Sequence, residues 1–404
     1  MKILIFSYLF PNKNFPYCGI FNYSRAKALE RAGCEVEVIA PINLSPYLIN
    51  LFPKFRLIEN IKLFKKMITI PEIEFIGGIK VYHPKWWKLP DKLFWKFHSD
   101  IMHFSIGKKI LKIVKDFLPD LILSTWLNPF ASYSEFFKRK LSVINFALAE
   151  GSDLLIHPYL FKGWDKVQEK INNNCELVIA VSNKMKIYID EKTNLQNVEV
   201  IRNGYDDCSF KYSEKNRFQR REKVKIISVG NFYNVKGQDI LLEAIRLLKV
   251  PMELTLVGNG PELPKCREFV LSHGLEKKVN FAGEIPHNQL SKILLQHDIF
   301  CLPSRSEGFP AAPLEAMGCG LPVVSSNVGD MEEVIVEGFN GFLFQSESIT
   351  DLAEKLMLAS QINWDGKEIS NWVGSNFSWD NWSKRILEKY YSFSIEKMDQ
   401  VLVS

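Results

Sequence analysis

Residues 304–325 read SRSEGFPAAPLEAMGCGLPVVS, and this stretch of sequence is the most informative about the fold. The apolar run that precedes it, at 299–302, has the composition of a buried strand, and the segment after Phe309 has that of a helix. Pro310 suits the first turn of a helix because its φ is already fixed and its missing N–H is not needed there. A strand, a glycine-containing loop and a helix in this order are typical of a doubly wound α/β domain.

Two glutamates flank the start of this helix. Glu307 lies on the loop, and Glu315 lies about two turns into the helix. Gly308 allows a ligand to approach the backbone closely, and a helix N-terminus offers free N–H groups and positive potential to a phosphate. A carboxylate in the helix can accept hydrogen bonds from ribose hydroxyls. Glutamates at this spacing are usually solvated surface groups, but their position between a strand end, a glycine and a helix start favours a ligand site.

The same pattern extends outward in both directions. Further strands are predicted at 224–229, 253–257, 279–281 and 322–325, with an amphipathic helix at 236–248. The first half opens with a strand at 3–6, a loop that contains Gly19, a helix at 22–32 and a strand near 36–40. We therefore predict two doubly wound, Rossmann-like α/β domains that face each other across a cleft. Their predicted limits are 1–210 and 224–375, with a charged linker at 211–223 and a C-terminal helix in 376–404 that returns to the first domain.

Length and composition agree with two globular domains. The chain has 404 residues, of which 47% are hydrophobic, which is enough for two sizeable cores. No segment is apolar over the length of a membrane span, and the first residues read as a buried strand and not as a signal peptide. The seven cysteines are scattered without a Cys-x-x-Cys pair, which favours reduced thiols in the cytoplasm over disulfides or a zinc site.

The net charge of +5 is unevenly distributed. Residues 51–140 contain 17 Lys and Arg against 8 Asp and Glu, an excess of 17 − 8 = 9, and aromatic residues are interleaved with the charges. One interpretation is a solvated helical face above ordinary core aromatics. A second is a surface that rests on anionic lipid at the inner face of the cell membrane. Nucleic acid is a third, but no nucleic-acid-binding motif accompanies the charge.

Taken together, the motifs resemble the retaining glycosyltransferases of the GT-B fold, glycosyltransferase family 4 or "group 1". The stretch at 304–325 resembles the family's Glu-x7-Glu signature, and 228–245 (SVGNFYNVKGQDILLEAI) resembles its phosphate-binding strand, loop and helix. VGNGPE at 257–262, NVGDMEEVI at 327–335 and EGFNGFLF at 337–344 resemble later family segments. IRNGYD at 201–206 resembles the end of its first domain, and FSWDNWSKRILEKYY at 377–391 resembles its final helix.

The resemblance implies a role for each matching position. Lys236 would neutralise the diphosphate as the sugar departs, Glu307 would contact the donor sugar and Glu315 the ribose. Gly19 would let backbone N–H groups approach the donor phosphates, although a simple turn glycine is the alternative. The remaining donor-binding candidates are Gly230, Asn231, Gly308, Phe309 and Pro310.

Two positions depart from the family pattern. Asn231 stands where the family often has an arginine, so that one phosphate-binding charge is missing unless Arg202 or Arg305 replaces it. Glu150 stands where the family often has a histidine, ahead of Gly151 and Asp153. Glu150 and Asp153 are the acceptor-side candidates.

The implied activity is transfer of a sugar from a nucleotide diphosphate sugar to a lipid-linked or polysaccharide acceptor in cell-envelope synthesis, without a cofactor. The absence of an Asp-x-Asp motif at a strand end argues against a catalytic metal. The alternatives are a nucleotide-sugar 2-epimerase and a non-catalytic sugar-nucleotide-binding partner of another transferase. The base, the sugar and the acceptor are not evident from the sequence.

Overall fold

The computed structural model describes residues 1–45, 57–141, 143–155, 157–214, 223–248 and 250–403. The chain divides into two compact units. The first consists of Met1–Arg202 with Trp382–Ser404, and the second of Asn203–Asn381. Most of the predicted linker, residues 215–222, lies outside the described residues.

The first unit is an α/β unit whose strands are short and strongly apolar. Most positions of its central strands are buried, as expected where helices cover both faces of a sheet. Its strands are β1 (Lys2–Ser7), β2 (Glu35–Ile39), β3 (Ile42–Asn43), β4 (Ile73–Ile76), β5 (Ile79–Tyr82), β6 (Lys85–Trp86), β7 (Leu121–Thr125), β8 (Ile144–Ala149), β9 (Leu177–Ala180) and β10 (Val198–Val200). Its helices are α1 (Ile20–Arg31), α2 (Leu57–Ile68), α3 (Asp91–Phe94), α4 (His98–Phe117), α5 (Ser134–Lys138), α6 (Ser152–Leu155), α7 (His157–Leu160), α8 (Trp164–Asn174) and α9 (Asn183–Lys192).

Eight of these strands form one sheet in the order β10-β9-β8-β7-β1-β2-β5-β4. All neighbours are parallel except β4, which runs antiparallel to β5 at the edge. The strands β3 and β6 pair separately. The order reverses direction between β1 and β7, so these two strands mark the topological switch point of the first sheet.

The second unit is built in the same way and is more regular. Its strands are β11 (Val224–Val229), β12 (Met252–Val257), β13 (Val279–Gly283), β14 (Ile299–Leu302), β15 (Val323–Ser326) and β16 (Gly341–Phe344). Its helices are α10 (Gln238–Leu247), α11 (Leu263–Ser272), α12 (His287–Leu294), α13 (Ala311–Gly318), α14 (Met331–Val334), α15 (Ile349–Gln361) and α16 (Gly366–Phe377).

The six strands of this unit form a fully parallel sheet in the order β13-β12-β11-β14-β15-β16. Numbered within the unit, this is the order 3-2-1-4-5-6 of the doubly wound dinucleotide-binding fold. The apolar face of α10 packs into the main core through Leu241 and Ile245, as its 3.6-residue periodicity predicts. The predicted fold class, two doubly wound α/β domains, is confirmed.

The last helix, α17 (Trp379–Val403), returns the chain to the first unit. Within that unit Ile386 is fully buried, and the Lys389 ammonium lies 2.6 Å from a carboxylate oxygen of Glu199. Among the described residues, no helix is both long enough and apolar enough to span a lipid bilayer.

Candidate donor site

The candidate site lies at the carboxyl end of the second sheet, where β11 and β14 are neighbours. The strand order reverses direction between these two strands. Ligands bind at such a switch point because the loops that follow the two strands diverge and leave a crevice. The loops after β11 and β14 are the two stretches that carry most of the predicted donor-binding residues.

The loop after β11 is held in one conformation by its own polar groups. Gln238 donates its side-chain N–H groups to the carbonyl oxygens of Gly230 and Asn231, both at 3.3 Å. Gly237 adopts a left-handed conformation, with φ at 64°. A Cβ atom at this position would lie 2.0 Å from the carbonyl oxygen of Pro303. Only glycine therefore lets this loop pass so close to the chain that follows β14.

Lys236 and Glu307 meet across the switch point. The Lys236 ammonium donates to Glu307 Oε1 at 2.6 Å, although the two residues are 71 positions apart in sequence. The Ser304 hydroxyl donates to the same oxygen at 2.7 Å. The Lys236 side chain is 30% exposed and that of Glu307 is 12% exposed, so the ammonium remains accessible to a ligand. Lys236 ends a 3₁₀ turn (Asn234–Lys236) and does not begin the following helix as predicted, because the left-handed Gly237 separates it from α10.

The loop that carries Glu307 and Gly308 is fixed by the strand beside it. Ser326, at the end of β15, donates its hydroxyl to the carbonyl oxygen of Ser304 at 2.6 Å. A Cβ atom on Gly329 would lie 3.0 Å from the Gly308 carbonyl oxygen, so the segment after β15 packs directly against the loop. Phe309, the next residue, is buried. The loop around Gly308 is therefore in close contact with the segment that follows β15.

Helix α13 begins directly after this loop. Its N-cap is Pro310, and the first helical residue is Ala311, so that Pro310 precedes the first turn and does not lie in it as predicted. The proline side chain has no hydrogen-bond acceptor, and it therefore cannot satisfy the N–H groups of the first turn. These N–H groups and the positive end of the helix provide the type of site that binds phosphate.

Glu315 is the fifth residue of α13, about one turn from its start and not about two as predicted. It is buried, and its Oε1 accepts a hydrogen bond of 2.8 Å from Nε2 of His287, the first residue of α12. His287 was not predicted from the sequence. The signal for it was weak, a histidine after Pro286 at a helix start, because the contact with Glu315 spans 28 positions.

Arg305 was considered as a replacement for the missing family arginine, but in the structure it binds two acidic side chains. Its guanidinium forms two hydrogen bonds with Asp239, at 2.7 and 3.0 Å, and a third with Glu347 at 2.9 Å. These partners already neutralise its charge. Asn231 lies in the loop after β11 as predicted, with an uncharged side chain. Arg202 belongs to the first unit.

Gly19 belongs to the first unit and lies in the loop after β1, at the switch point of that sheet. It is the N-cap of α1 and is left-handed, with φ at 66°. A Cβ atom there would lie 2.3 Å from the carbonyl oxygen of Leu9. The close turn therefore requires glycine, and this explains the local structural role of Gly19. A contact between Gly19 and the donor phosphates remains a prediction.

Both acceptor-side candidates have partners inside the first unit. Glu150 follows β8, and its carboxylate forms a buried ion pair with Arg25 at 2.5 and 3.2 Å. Asp153 accepts three backbone hydrogen bonds, from Leu127, Glu150 and Gly151. Burial raises the pKa of Asp153 to about 7, against the opposing effect of these three donors. Asp153 therefore shapes the loop after β8, whereas Glu150 lies at its edge with slight exposure.

An aromatic pair that sequence reasoning missed lies at the switch point of the first unit. The rings of Tyr8, after β1, and Trp126, after β7, stack with centroids 4.9 Å apart. Trp126 has a φ of 82°, which is rare for a bulky residue and is retained mainly where function or packing requires it. His157 contacts the Trp126 ring edge-on at 5.6 Å.

A cluster of possible metal ligands lies outside the donor loops. Among the residues that the structure describes, Asp206, Asp207 and Cys208 could together offer three ligand atoms. One Asp206 carboxylate oxygen already accepts the N–H groups of Cys208 and Ser209, as in an ordinary turn.

Two doubly wound units, the second with a phosphate-type site at its switch point, have the architecture of the GT-B fold. Solved structures of glycosyltransferases share this fold. Sucrose-phosphate synthase from Thermosynechococcus elongatus aligns with a TM-score of 0.73 and 16% identity, over 98% of this chain and 100% of that one. HepE from Anabaena, solved in complex with UDP, aligns with a TM-score of 0.69 and 18% identity, over 97% and 100% of the two chains.

Sequence comparison matches the second unit to a family model. Residues 210–369 match the model of "Glycosyl transferases group 1", the family that the motifs resemble. A relative with similarity over most of both chains is the putative teichuronic acid biosynthesis glycosyltransferase TuaC of Bacillus subtilis. The two sequences are 26% identical over 367 residues, which is 88% of each. The narrower assignment to family 4, and retention of configuration, remain predictions.

Proposed function

We propose that the chain is a retaining glycosyltransferase that uses a nucleotide diphosphate sugar as donor and binds it at the switch point of the second unit. The observation that carries this proposal is the contact between Lys236 and Glu307, two residues from separate loops that meet at the switch point of the second sheet. The match of residues 210–369 to the group 1 family model supports a transferase in general.

In this proposal the donor lies along the start of α13. The diphosphate binds the first-turn N–H groups and the Lys236 ammonium, because both concentrate positive potential there. Glu307 accepts hydrogen bonds from the sugar hydroxyls, and Glu315 accepts them from the ribose. The sugar and the phosphate contact the backbone of Gly308, Phe309 and Pro310.

The transfer itself needs no cofactor. The C–O bond between the sugar and the diphosphate breaks, the electron pair stays on the phosphate oxygen, and the acceptor hydroxyl adds to the same face of the sugar. The departing phosphate takes the acceptor's proton, so that a protein base is not required. Lys236 stabilises the charge that develops on the leaving group. Because Asn231 is neutral, Lys236 carries more of this stabilisation than it would beside an arginine.

The first unit binds the acceptor in this proposal. Glu150 and the Tyr8–Trp126 pair lie at the carboxyl edge of its sheet, and an aromatic face can pack against the C–H groups of a sugar ring. The similarity to a relative named for teichuronic acid synthesis favours a lipid-linked or polysaccharide acceptor of the cell envelope. The protein would act at the cytoplasmic face of the membrane, as a peripheral protein.

The experiment is a release assay for nucleoside diphosphate, with purified protein and a panel of UDP- and GDP-sugars, with and without an extract of envelope lipids and glycans. We expect release from one donor, strongly accelerated by the extract, and a product whose anomeric configuration matches the donor. Rapid release without any acceptor would favour an epimerase. Binding without release under all conditions would favour a non-catalytic partner.

A further inference from the structure

The contact between His287 and Glu315 joins two ionisable side chains of the second unit at 2.8 Å. Glu315 is one of the predicted donor-binding residues, and His287 contacts it from the first residue of a different helix, α12. The His287 side chain is 26% exposed and that of Glu315 is 10% exposed, so the histidine is the member that solvent reaches. A carboxylate can only accept, so His287 Nε2 must donate to it.

The surroundings of His287 favour its charged form. The hydrogen bond to Glu315 raises the pKa of His287 above its ordinary value, and the negative charge of Asp206 acts in the same direction. Partial burial opposes this shift, as does the position at a helix start, where positive charge is disfavoured. The uncharged Phe210 ring packs edge-on against the imidazole, with centroids 5.1 Å apart.

We propose that His287 is a positioning residue for Glu315, and that its protonation makes nucleotide binding sensitive to pH in the titration range of histidine. The proposal rests on the proposed function, in which Glu315 binds the ribose. The histidine occupies one carboxylate oxygen, Oε1, and thereby fixes the rotamer that presents the carboxylate to the nucleotide. In its charged form it also offsets the negative charge of Glu315, which otherwise repels the diphosphate.

The direction of the pH effect follows from linkage. A ligand that carries negative charge binds more tightly when the imidazole is protonated, and its binding raises the pKa of His287 further. Affinity is therefore highest below the folded-state pKa of His287 and falls as pH rises through it. The loss cannot exceed about tenfold per pH unit, the limit for one linked proton. Neutral imidazole with its proton on Nε2 keeps the hydrogen bond to Glu315. Titration therefore changes the charge of His287 but does not break this contact.

The experiment measures nucleotide-sugar affinity by calorimetry at several values between about pH 5.5 and about pH 8.5, which bracket the titration range of histidine. The probes are UDP-glucose, UDP-N-acetylglucosamine and GDP-mannose, whose diphosphates do not titrate in this range. The variants are His287→Gln, whose amide can still donate to Glu315, and His287→Ala, which removes the donor. The control is His273→Gln, on an exposed histidine elsewhere in the second unit.

We expect the affinity of the wild type and of His273→Gln to fall by about three- to tenfold across this range. His287→Gln should bind with nearly constant affinity, and His287→Ala should bind more weakly than His287→Gln at every pH. The same pH dependence in wild type and His287→Gln, or equal affinity of the Gln and Ala variants, would overturn the positioning role. Failure of folded wild type to bind any probe at any pH would instead overturn the proposed function, and this inference with it.

Discussion

At the scale of single residues, the Lys236 ammonium is the group most directly tied to chemistry. It is held by Glu307, which orients it, yet it remains partly exposed. A single ammonium can transfer its hydrogen bonds from a carboxylate to a phosphate when the donor binds. Arg305 cannot assist in this role, since Asp239 and Glu347 already hold its guanidinium.

We expect Lys236→Ala to lower turnover by about a hundred- to a thousandfold, the usual effect of removing one group that stabilises transition-state charge. The measurement is steady-state release of nucleoside diphosphate with the best donor of the panel. Lys265→Ala is the matched control, because Lys265 lies in the same unit with a side chain that is 73% exposed. Wild-type turnover in Lys236→Ala would remove this residue from the mechanism.

At the scale of secondary-structure elements, the turn between β11 and α10 sets the position of Lys236. Gly237 allows this turn to pass the chain after β14, and the neighbouring Gln238 side chain holds its carbonyl oxygens. A change of backbone here moves Lys236 relative to Glu307. The turn is therefore both a structural and a functional element.

Gly237→Ala should destabilise the protein more than Gly274→Ala. Both glycines have φ of 64°, so each variant incurs the cost of a left-handed alanine, about 1–2 kcal/mol. Only at Gly237 does the added Cβ also collide with a backbone oxygen, whereas nothing lies within 4 Å at Gly274. Denaturant unfolding measures the difference, and turnover should fall in Gly237→Ala alone. Equal stability of the two variants would show that the close contact at Pro303 is absent in solution.

The elements that could be predicted from sequence are those set by local signals. The strand at 299–302 and the helix after Phe309 follow from apolar runs, a glycine and a proline close together. The sequence cannot show which distant side chains meet. Lys236 and Glu307 were each predicted as site residues from family resemblance, but their direct bond depends on the β11–β14 pairing. His287 and Trp126 were missed because a helix start and an unusual φ leave little trace in composition.

At the scale of the whole molecule, the positive charge at the candidate donor site comes from groups of the protein itself. Lys236 and the start of α13 lie where a diphosphate needs neutralisation, and the described Asp206, Asp207 and Cys208 cluster lies outside the donor loops. We expect activity to persist in excess EDTA, measured with the same release assay. Complete loss that magnesium or manganese restores would contradict this and would point to a metal bridging the diphosphate.

The first unit carries exposed apolar side chains close to lysines. On α4, Phe104 is 95% exposed, and Lys108 and Lys112 follow on the same face of the helix. Helix α2 exposes Ile68 beside Lys65 and Lys66. Some of the basic charge is internally paired, as in the 2.7 Å bond between Lys109 and Glu72. The remaining lysines support the proposed contact with anionic lipid.

We expect the protein to co-sediment with vesicles that contain anionic lipid, and less so as salt rises, because each surface lysine contributes about 1 kcal/mol and is screened over a Debye length. Lys108→Glu with Lys112→Glu, or Phe104→Ser, should weaken this binding. Lys265→Glu and Leu271→Ser, exposed positions of the second unit, are the matched controls. Equal binding to neutral vesicles, or none to either type, would leave a soluble acceptor as the better proposal.

In the proposed function the second unit binds a nucleotide diphosphate sugar, with the ribose on Glu315 and the sugar on Glu307. Calorimetric titration of wild type, Glu315→Ala and Glu307→Ala with the donor panel measures this binding. We expect that one donor binds wild type, that Glu315→Ala weakens binding of the free nucleoside diphosphate by about ten- to a hundredfold, and that Glu307→Ala changes this binding little. These factors correspond to the loss of hydrogen bonds to a charged group. Unchanged nucleoside diphosphate binding in Glu315→Ala, with the wild type and variants folded, would show that Glu315 does not bind the ribose.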